Sequence, residues 1–238
     1  MFEKVLIANR GAIAVRIART LRRMGVHSIG VYAESDRDSL HRSAVDEARP
    51  LGDGGASDTY INEDKLFEII ARTGAEAVHP GYGFLSENAG FAERLAERGV
   101  VFIGPRPEHI RRFGLKHEAR AITEQAGVNL MPGSGLLRSA KDALREAKRI
   151  GYPVMLKSTA GGGGIGMRRA DGETELEGMF ERIRRLAAAN FGDDDLYLEK
   201  LITASRHVEV QAFGDGCGDV LIVGDRDCTL QRLSLIHI

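Results

Sequence analysis

The chain has 238 residues, enough for one large domain or two modest ones and for a substantial core. Lysine and arginine number 33 against 34 aspartate and glutamate, a formal charge of −1. That balance argues against a strongly basic nucleic-acid-binding domain. Hydrophobic residues at 43%, charged residues at 28% and a mean hydropathy of −0.20 are globular values. No apolar run reaches the roughly 18 residues of a transmembrane helix. Glycine is in excess, 29 of 238, about 12% against roughly 7% in average proteins, yet no Gly-X-Y period makes the chain collagen-like. The start, MFEKVLIANRG, breaks its apolar stretch at Asn9 and Arg10 and does not suit a signal peptide. Cys217 and Cys228 lack a zinc-ligand spacing and read as reduced thiols, in keeping with a cytoplasmic protein.

Up to about residue 105 the chain alternates strand and helix signals. The apolar run 5–8 reads as a buried parallel strand. Ile13, Ile17, Leu21 and Met24 follow at helical spacing, and Gly25 stops that helix. Residues 28–32 form the next strand. Leu66, Ile69 and Ile70 mark a helix ending at Gly74, and Ala77-Val78 leads a strand into His79-Pro80-Gly81. Phe91, Leu95 and Ala96 mark another helix, with a strand at 100–103. This order predicts a parallel sheet covered on both faces. A domain boundary is expected near Gly114. Residues 118–125 read as a helix ended by Gly127, and 131–135 as a turn-rich break with a subdomain boundary near Pro132. A charged helix at 140–149 precedes a strand at 153–158 that carries Lys157. Residues 160–166 (AGGGGIG) form a glycine-rich loop with a return strand at 167–169. An amphipathic helix at 176–189 precedes strands at 196–201, 208–213 and 220–223, with Asp215-Gly216 as a hairpin turn. The second half therefore reads as α+β and more antiparallel, with no internal repeat.

The glycine loop is the strongest chemical signal. Consecutive glycines let backbone N–H groups approach an anion, and Lys157 on the preceding strand adds positive charge. The loop is not a Walker A sequence, because the lysine precedes the glycines and no GKS or GKT follows. It also does not open a helix as a dinucleotide fingerprint does. Its two readings are a hairpin lid over phosphates and a surface linker. Glu199 and Lys200 end a strand, where a carboxylate could face a ribose; the plain alternative is a solvated charge pair. His207 could belong to a site or be a satisfied structural histidine. Residues 79–83 and 8–11 follow strands, where ligands bind in parallel sheets; residues 79–83 could equally be a tight Pro-Gly turn.

These residues together resemble the biotin carboxylase family of ATP-grasp ligases. The resemblance rests on IANRG (7–11), HPGYGFLSEN (79–88), FIGP (102–105), GYP (151–153) and LKSTAGGGGIGM (156–167). It continues through RHVE (206–209), RDC (226–228) and Gln231-Arg232. The loop wording and PGSGLL (132–137) are most similar to the urea carboxylase branch. One departure is Ala12, where the family usually has Glu.

The resemblance implies an α/β fold: a parallel-sheet pre-ATP-grasp domain at 1–113, then an ATP-grasp domain over 114–232. The latter is α+β and incomplete, with a glycine-rich lid subdomain at about 131–203. It implies that Lys116 and Lys157 contact ATP phosphates and that Gly163 and Gly164 close on them. Glu199, Lys200 and the backbone through Ile202 hold adenine, with His207 and Gln231 completing the nucleotide site. Tyr82 and Gly83 lie near the biotin ureido ring. The implied reaction uses ATP, Mg²⁺ and bicarbonate to carboxylate biotin on a carrier domain, through carboxyphosphate. Homodimers are common in the family, and no membrane or nucleic-acid partner is implied. The family continues for about twice this length. The Mg²⁺ ligands and bicarbonate residues are expected beyond Arg232, and Asp225 and Asp227 do not match them. Residues 233–238 fit no family continuation and read as a non-native tail, so this stretch alone is expected to be inactive. The rival readings are the biotin carboxylase part of an acyl-CoA carboxylase, another ATP-grasp ligase, a non-catalytic nucleotide-binding module and a nicotinamide oxidoreductase. The last is disfavoured because the first βα turn lacks its glycines.

Overall fold

The computed structural model describes residues 1–114, 116–159, 166–192, 194–203 and 205–229, with the backbone alone at 116, 117, 190 and 191. Two compact units meet in sequence at Gly114.

The first unit runs β1 (Lys4–Ile7), α1 (Gly11–Met24), β2 (His27–Ala33), α2 (Leu40–Ala44), β3 (Glu47–Gly52) and α3 (Glu63–Thr73). It continues with β4 (Ala77–His79), α4 (Ala89–Glu97), β5 (Val101–Phe102) and α5 (Pro107–Gly114). Its five strands form one parallel sheet in the order β3-β2-β1-β4-β5. The chain builds outward from β1 to β3, then returns to β4 on the other side of β1. The carboxyl ends of β1 and β4 are therefore a topological switch point, where open parallel sheets bind ligands.

Both sheet faces are covered, as the apolar strands require. Val5 and Ile7 pack with Ala14, Ile17, Ala18 and Leu21 of α1. Leu6, Ile29 and Val78 pack with Leu66, Ile70, Phe91 and Leu95 of α3 and α4. Caps set the helix limits. Gly25 takes the left-handed conformation after α1, and the side chains of Asn62 and Asn88 accept N–H bonds at the starts of α3 and α4.

Three elements are not evident in the sequence pattern. Strand β3 contains Pro50 and lacks alternation; it is tolerated because it is an edge strand. Helix α2 has only five residues. Helix α5 is hidden in a proline-rich stretch, but Pro107 is its first residue, where a missing N–H costs nothing.

The second unit contains α6 (Lys116–Gln125), α7 (Ala140–Ile150), β6 (Val154–Ser158), β7 (Met167–Ala170), α8 (Glu173–Phe191), β8 (Leu196–Lys200), β9 (Val208–Gly214) and β10 (Val220–Asp227). Strands β7-β6-β8 form an antiparallel sheet, and β9 and β10 form a hairpin. Val154, Leu156, Leu196 and Leu198 form one sheet face and pack with Ala143 and Ala147 of α7 and with Leu176, Phe180 and Ile183 of α8.

Two sequence expectations are corrected. The stretch 131–135 is more than a break: Ser134 and Leu137 donate backbone bonds to Leu198 and Leu196, and Lys200 donates to Pro132. It thus extends the sheet along the free side of β8. The β9–β10 connection spans residues 215–219 rather than a two-residue turn. The Asp215 carboxylate accepts from the amides of Cys217, Gly218 and Asp219 and so stabilises the longer loop. Among the described residues, no helix is long and apolar enough to cross a membrane.

Phe91 is fully buried and meets Phe67 and Phe102 at ring-centroid distances of 5.5 and 6.4 Å. Phe91→Ala is expected to lower the unfolding free energy of the first unit by about 3–5 kcal/mol, measured by urea denaturation. A loss below about 1 kcal/mol would contradict this packing.

Candidate functional site

In the first unit, the loops after β1 and β4 are fastened together by Asn9, which is 4% exposed. Its Nδ2 donates to the carbonyls of Pro80 at 2.7 Å and Tyr82 at 2.9 Å, while its Oδ1 accepts from the Arg10 amide. Gly81 has φ +68°, and a Cβ there would lie 2.7 Å from Asn9 Nδ2. Glycine is therefore required both by conformation and by space. His79 Nδ1 accepts from the Gly81 amide at 3.1 Å, and burial holds the imidazole pKa below its ordinary value. With Nδ1 accepting that bond, the neutral ring carries its proton on Nε2. Tyr82 projects outward, 67% exposed, and Gly83 has φ +66°. The stretch 79–83 is a tight turn held in place by the buried Asn9 side chain from the loop after β1.

Beside Asn9, the Arg10 guanidinium pairs through two bonds with Asp36, which also accepts from the Tyr60 hydroxyl at 2.6 Å. The Arg10 bonds hold the Asp36 carboxyl below the usual carboxylate range, against the opposing effect of burial. Burial and the bond to Asp36 push the Tyr60 hydroxyl up to about 12.

In the second unit, the candidate site lies on the sheet face opposite α7 and α8. In the antiparallel register Lys157 faces Tyr197 and Met155 faces Glu199. Side chains alternate between faces with period two, so Lys157 and Glu199 share one face as diagonal neighbours. The Lys157 ammonium bonds Glu199 Oε2, and Arg120 Nη1 reaches Glu199 Oε1 at 3.3 Å. Arg120 Nη2 also donates to the Met131 carbonyl at 2.8 Å. The side chains are 25% exposed for Lys157, 14% for Glu199 and 20% for Arg120. Tyr197 is buried beside them; burial raises its hydroxyl pKa and the Glu199 charge adds to that.

The same period places Lys200 on the opposite face. Its ammonium donates to the carbonyls of Gly151 at 2.8 Å and Tyr152 at 2.7 Å, just beyond α7. Glu199 and Lys200 are therefore not a solvated pair. Each finds its partners on its own face of the sheet.

Lys157 and Glu199 are brought together; the other candidates are more dispersed. Ile202 is 48% exposed beyond β8. His207 sits just before β9, with Nε2 3.6 Å from Glu209 and its amide bonded to Thr229 Oγ1. Gly163, Gly164 and Gln231 lie outside the described residues, as do the Lys116 side chain and residues 233–238. The bases of β6 and β7 are joined by the bond from the Ser158 amide to the Gly166 carbonyl. The Ser158 hydroxyl is buried with no partner among the described residues. Arg120 is the functional candidate missed by the sequence reading, whereas Asn9 lies within the 8–11 stretch that the sequence singles out.

Lys157 and Glu199 thus form a cation–carboxylate pair on neighbouring antiparallel strands, and the glycine-rich sequence 160–166 follows β6 in the chain. The comparisons give the family. Residues 1–110 match the biotin carboxylase N-terminal domain, and 116–237 match the carbamoyl-phosphate synthase L chain ATP-binding domain. A urea amidolyase of Lachancea kluyveri is 51% identical over 231 residues, 97% of this chain and 13% of that protein. The biotin carboxylase–β,γ-ATP complex of Campylobacter jejuni is 43% identical, with TM-score 0.92 over 98% of this chain and 52% of that one. The biotin carboxylase domain dimer of Hydrogenobacter thermophilus 2-oxoglutarate carboxylase, bound to MgADP, ADP and bicarbonate, is also 43% identical. Its TM-score is 0.88, over 98% of this chain and 51% of that one. The chain belongs to the biotin carboxylase family, and it spans about half the length of these solved relatives.

The Asp36 network generates a pH dependence. Its folded pKa lies below the unfolded one, so its stabilisation is complete above about pH 4 and is lost as pH falls through the folded value. Stability of the first unit, read as the urea midpoint against pH, is expected to fall on acidification. The fall should be shallower in Asp36→Asn; an unchanged slope would contradict the network.

Proposed function

We propose that this chain supplies the nucleotide-binding part of an enzyme that carboxylates carrier-bound biotin, with urea as the eventual acceptor. The observation that carries the reading is the Lys157–Glu199 pair on adjacent antiparallel strands, with the glycine-rich sequence 160–166 following β6 in the chain. The urea assignment is supported by the 51% identity to urea amidolyase and by the wording of 132–137 and 156–167. Residues 1–113 serve as the pre-ATP-grasp domain and 114–232 as part of the ATP-grasp domain, with the lid at about 131–203.

In this reading ATP transfers its γ-phosphoryl group to bicarbonate, giving ADP and carboxyphosphate. Carboxyphosphate breaks down to phosphate and CO2, which joins N1′ of biotin. Phosphoryl transfer depends mainly on positioning and on cations around the phosphates. Lys157 supplies one such cation from a rigid strand, and Lys116 supplies another. Gly163 and Gly164 cover the phosphates and exclude water from carboxyphosphate. Glu199 and the backbone of Lys200 through Ile202 hold the adenine edge, because the alternation of β8 turns the Lys200 side chain to the other face, onto the Gly151 and Tyr152 carbonyls. His207 and Gln231 complete the site. Tyr82 and Gly83 face the biotin ring from the loop fastened by Asn9.

Mg²⁺ accompanies ATP in this chemistry, but the described residues do not fit it. They include no cluster of three His, Cys, Asp or Glu side chains. Both Asp227 oxygens are engaged, by Thr229 and Arg206. No step is assigned to these residues through the metal. The reading places the protein in the cytoplasm and, by analogy with the domain dimer of the Hydrogenobacter relative, as a homodimer.

Lys157→Met is expected to weaken ATP binding at least about tenfold, the size of one lost charge-assisted contact, measured by calorimetry. Unchanged affinity would overturn the assignment. Because the chain spans about half of its solved relatives, the 238 residues alone are expected to give no bicarbonate-dependent phosphate release. Release at about 1 per second or faster would show the stretch to be self-sufficient.

A further inference from the structure

We infer that Arg120 is a positioning residue for nucleotide binding, acting through Glu199 to free Lys157 for the phosphates. The inference rests on the nucleotide reading above. Glu199 presents one oxygen to each of two cations, Oε1 to Arg120 and Oε2 to Lys157. All three side chains are at most 25% exposed, so solvent screens them poorly. Lys157 engages a phosphate only by giving up part of its bond to Glu199. Without a second cation, that step leaves a shielded carboxylate uncompensated, which is costly. Arg120 is the cation that stays.

Its surroundings keep it there. Nη2 is tied to the Met131 carbonyl at 2.8 Å. The guanidinium also fills the space that a side chain at residue 133 would take: a Cβ on Gly133 would lie 2.5 Å from Nη2 and 2.8 Å from Cζ. The planar fork directs one nitrogen to the carboxylate and the other to the carbonyl, a division that the single ammonium of lysine does not reproduce. Arg120 therefore links α6, the 131–133 segment and β8 through Glu199.

The test is calorimetry of the intact protein with ATP and, separately, adenosine. R120M is expected to weaken ATP binding about tenfold and adenosine binding by a smaller factor, no more than about threefold, because without a phosphate Lys157 stays on Glu199 and keeps that carboxylate placed. In an E199Q background, where Lys157 is no longer held, R120M is expected to cost less than about twofold in ATP affinity. R149M removes a guanidinium that bonds the Gly133 carbonyl at 2.7 Å without reaching Glu199; its ATP affinity is expected within about twofold of wild type. R120K keeps the charge but not the fork. Its expected loss of about threefold provides the same test if R120M does not fold. Equal losses for ATP and adenosine, an undiminished effect in E199Q, or R149M matching R120M would each overturn the inference. ATP affinity unchanged in both R120M and R120K would do the same. Failure of the wild-type protein to bind ATP would overturn the nucleotide reading itself, and this inference with it.

Discussion

The pleat of the β6–β8 pair governs the chemistry of the second unit. With side chains alternating in period two, a strand can bury Val154 and Leu156 against α7 and α8 only if Met155 and Lys157 face the other way. The register then places Glu199 diagonal to Lys157 and sends Lys200 through to the helix side. A register slip of one residue would turn Lys157 into the core and Leu156 out of it, so hydrophobic burial fixes the ion pair. Packing energy and site geometry are thus set by one constraint. This is why a polar pair can be held in place without a large network of its own.

The first unit solves a related problem at the end of a parallel sheet. Its strands stop at a switch point where backbone groups no longer find sheet partners. Asn9 compensates by satisfying the carbonyls of Pro80 and Tyr82 from the loop after the neighbouring strand β1. The Arg10–Asp36–Tyr60 group braces the same edge, with Tyr60 also accepting from the Ala33 amide at the end of β2. The loop that carries Tyr82 therefore rests on buried, satisfied polar contacts.

Much of this was legible in the sequence because burial leaves a periodic trace. The apolar run 5–8 and the helical spacing of Ile17 and Leu21 each show which residues meet the core, and the strand at 153–158 is marked by its apolar residues around Lys157. What left no trace depends on contacts distant in sequence. Strand β3 forms with Pro50 in it because an edge position tolerates a missing N–H. The 132–137 segment becomes part of the sheet because β8 offers a free side, which nothing in PGSGLL announces. Arg120 is one charged residue among many on a polar helix. Only the fold brings it to Glu199, 79 positions away.

The glycine excess also divides by cause. Some glycines end helices, as Gly25 does. At two candidate sites, glycine instead provides volume for a polar side chain. Gly81 leaves room for the Asn9 amide and Gly133 for the Arg120 guanidinium, and a Cβ at either would come within 2.7 Å of a donor nitrogen. In both cases that nitrogen donates to a carbonyl close to the glycine, Pro80 for one and Met131 for the other. The backbone is drawn close enough to be bonded, and the absent side chain is what allows the approach. The two units share no sheet or helix, yet each fastens a loop to its sheet through the same pairing of a glycine with a long-range polar side chain. An excess of glycine in this chain therefore marks where loops are held firmly as well as where the chain turns.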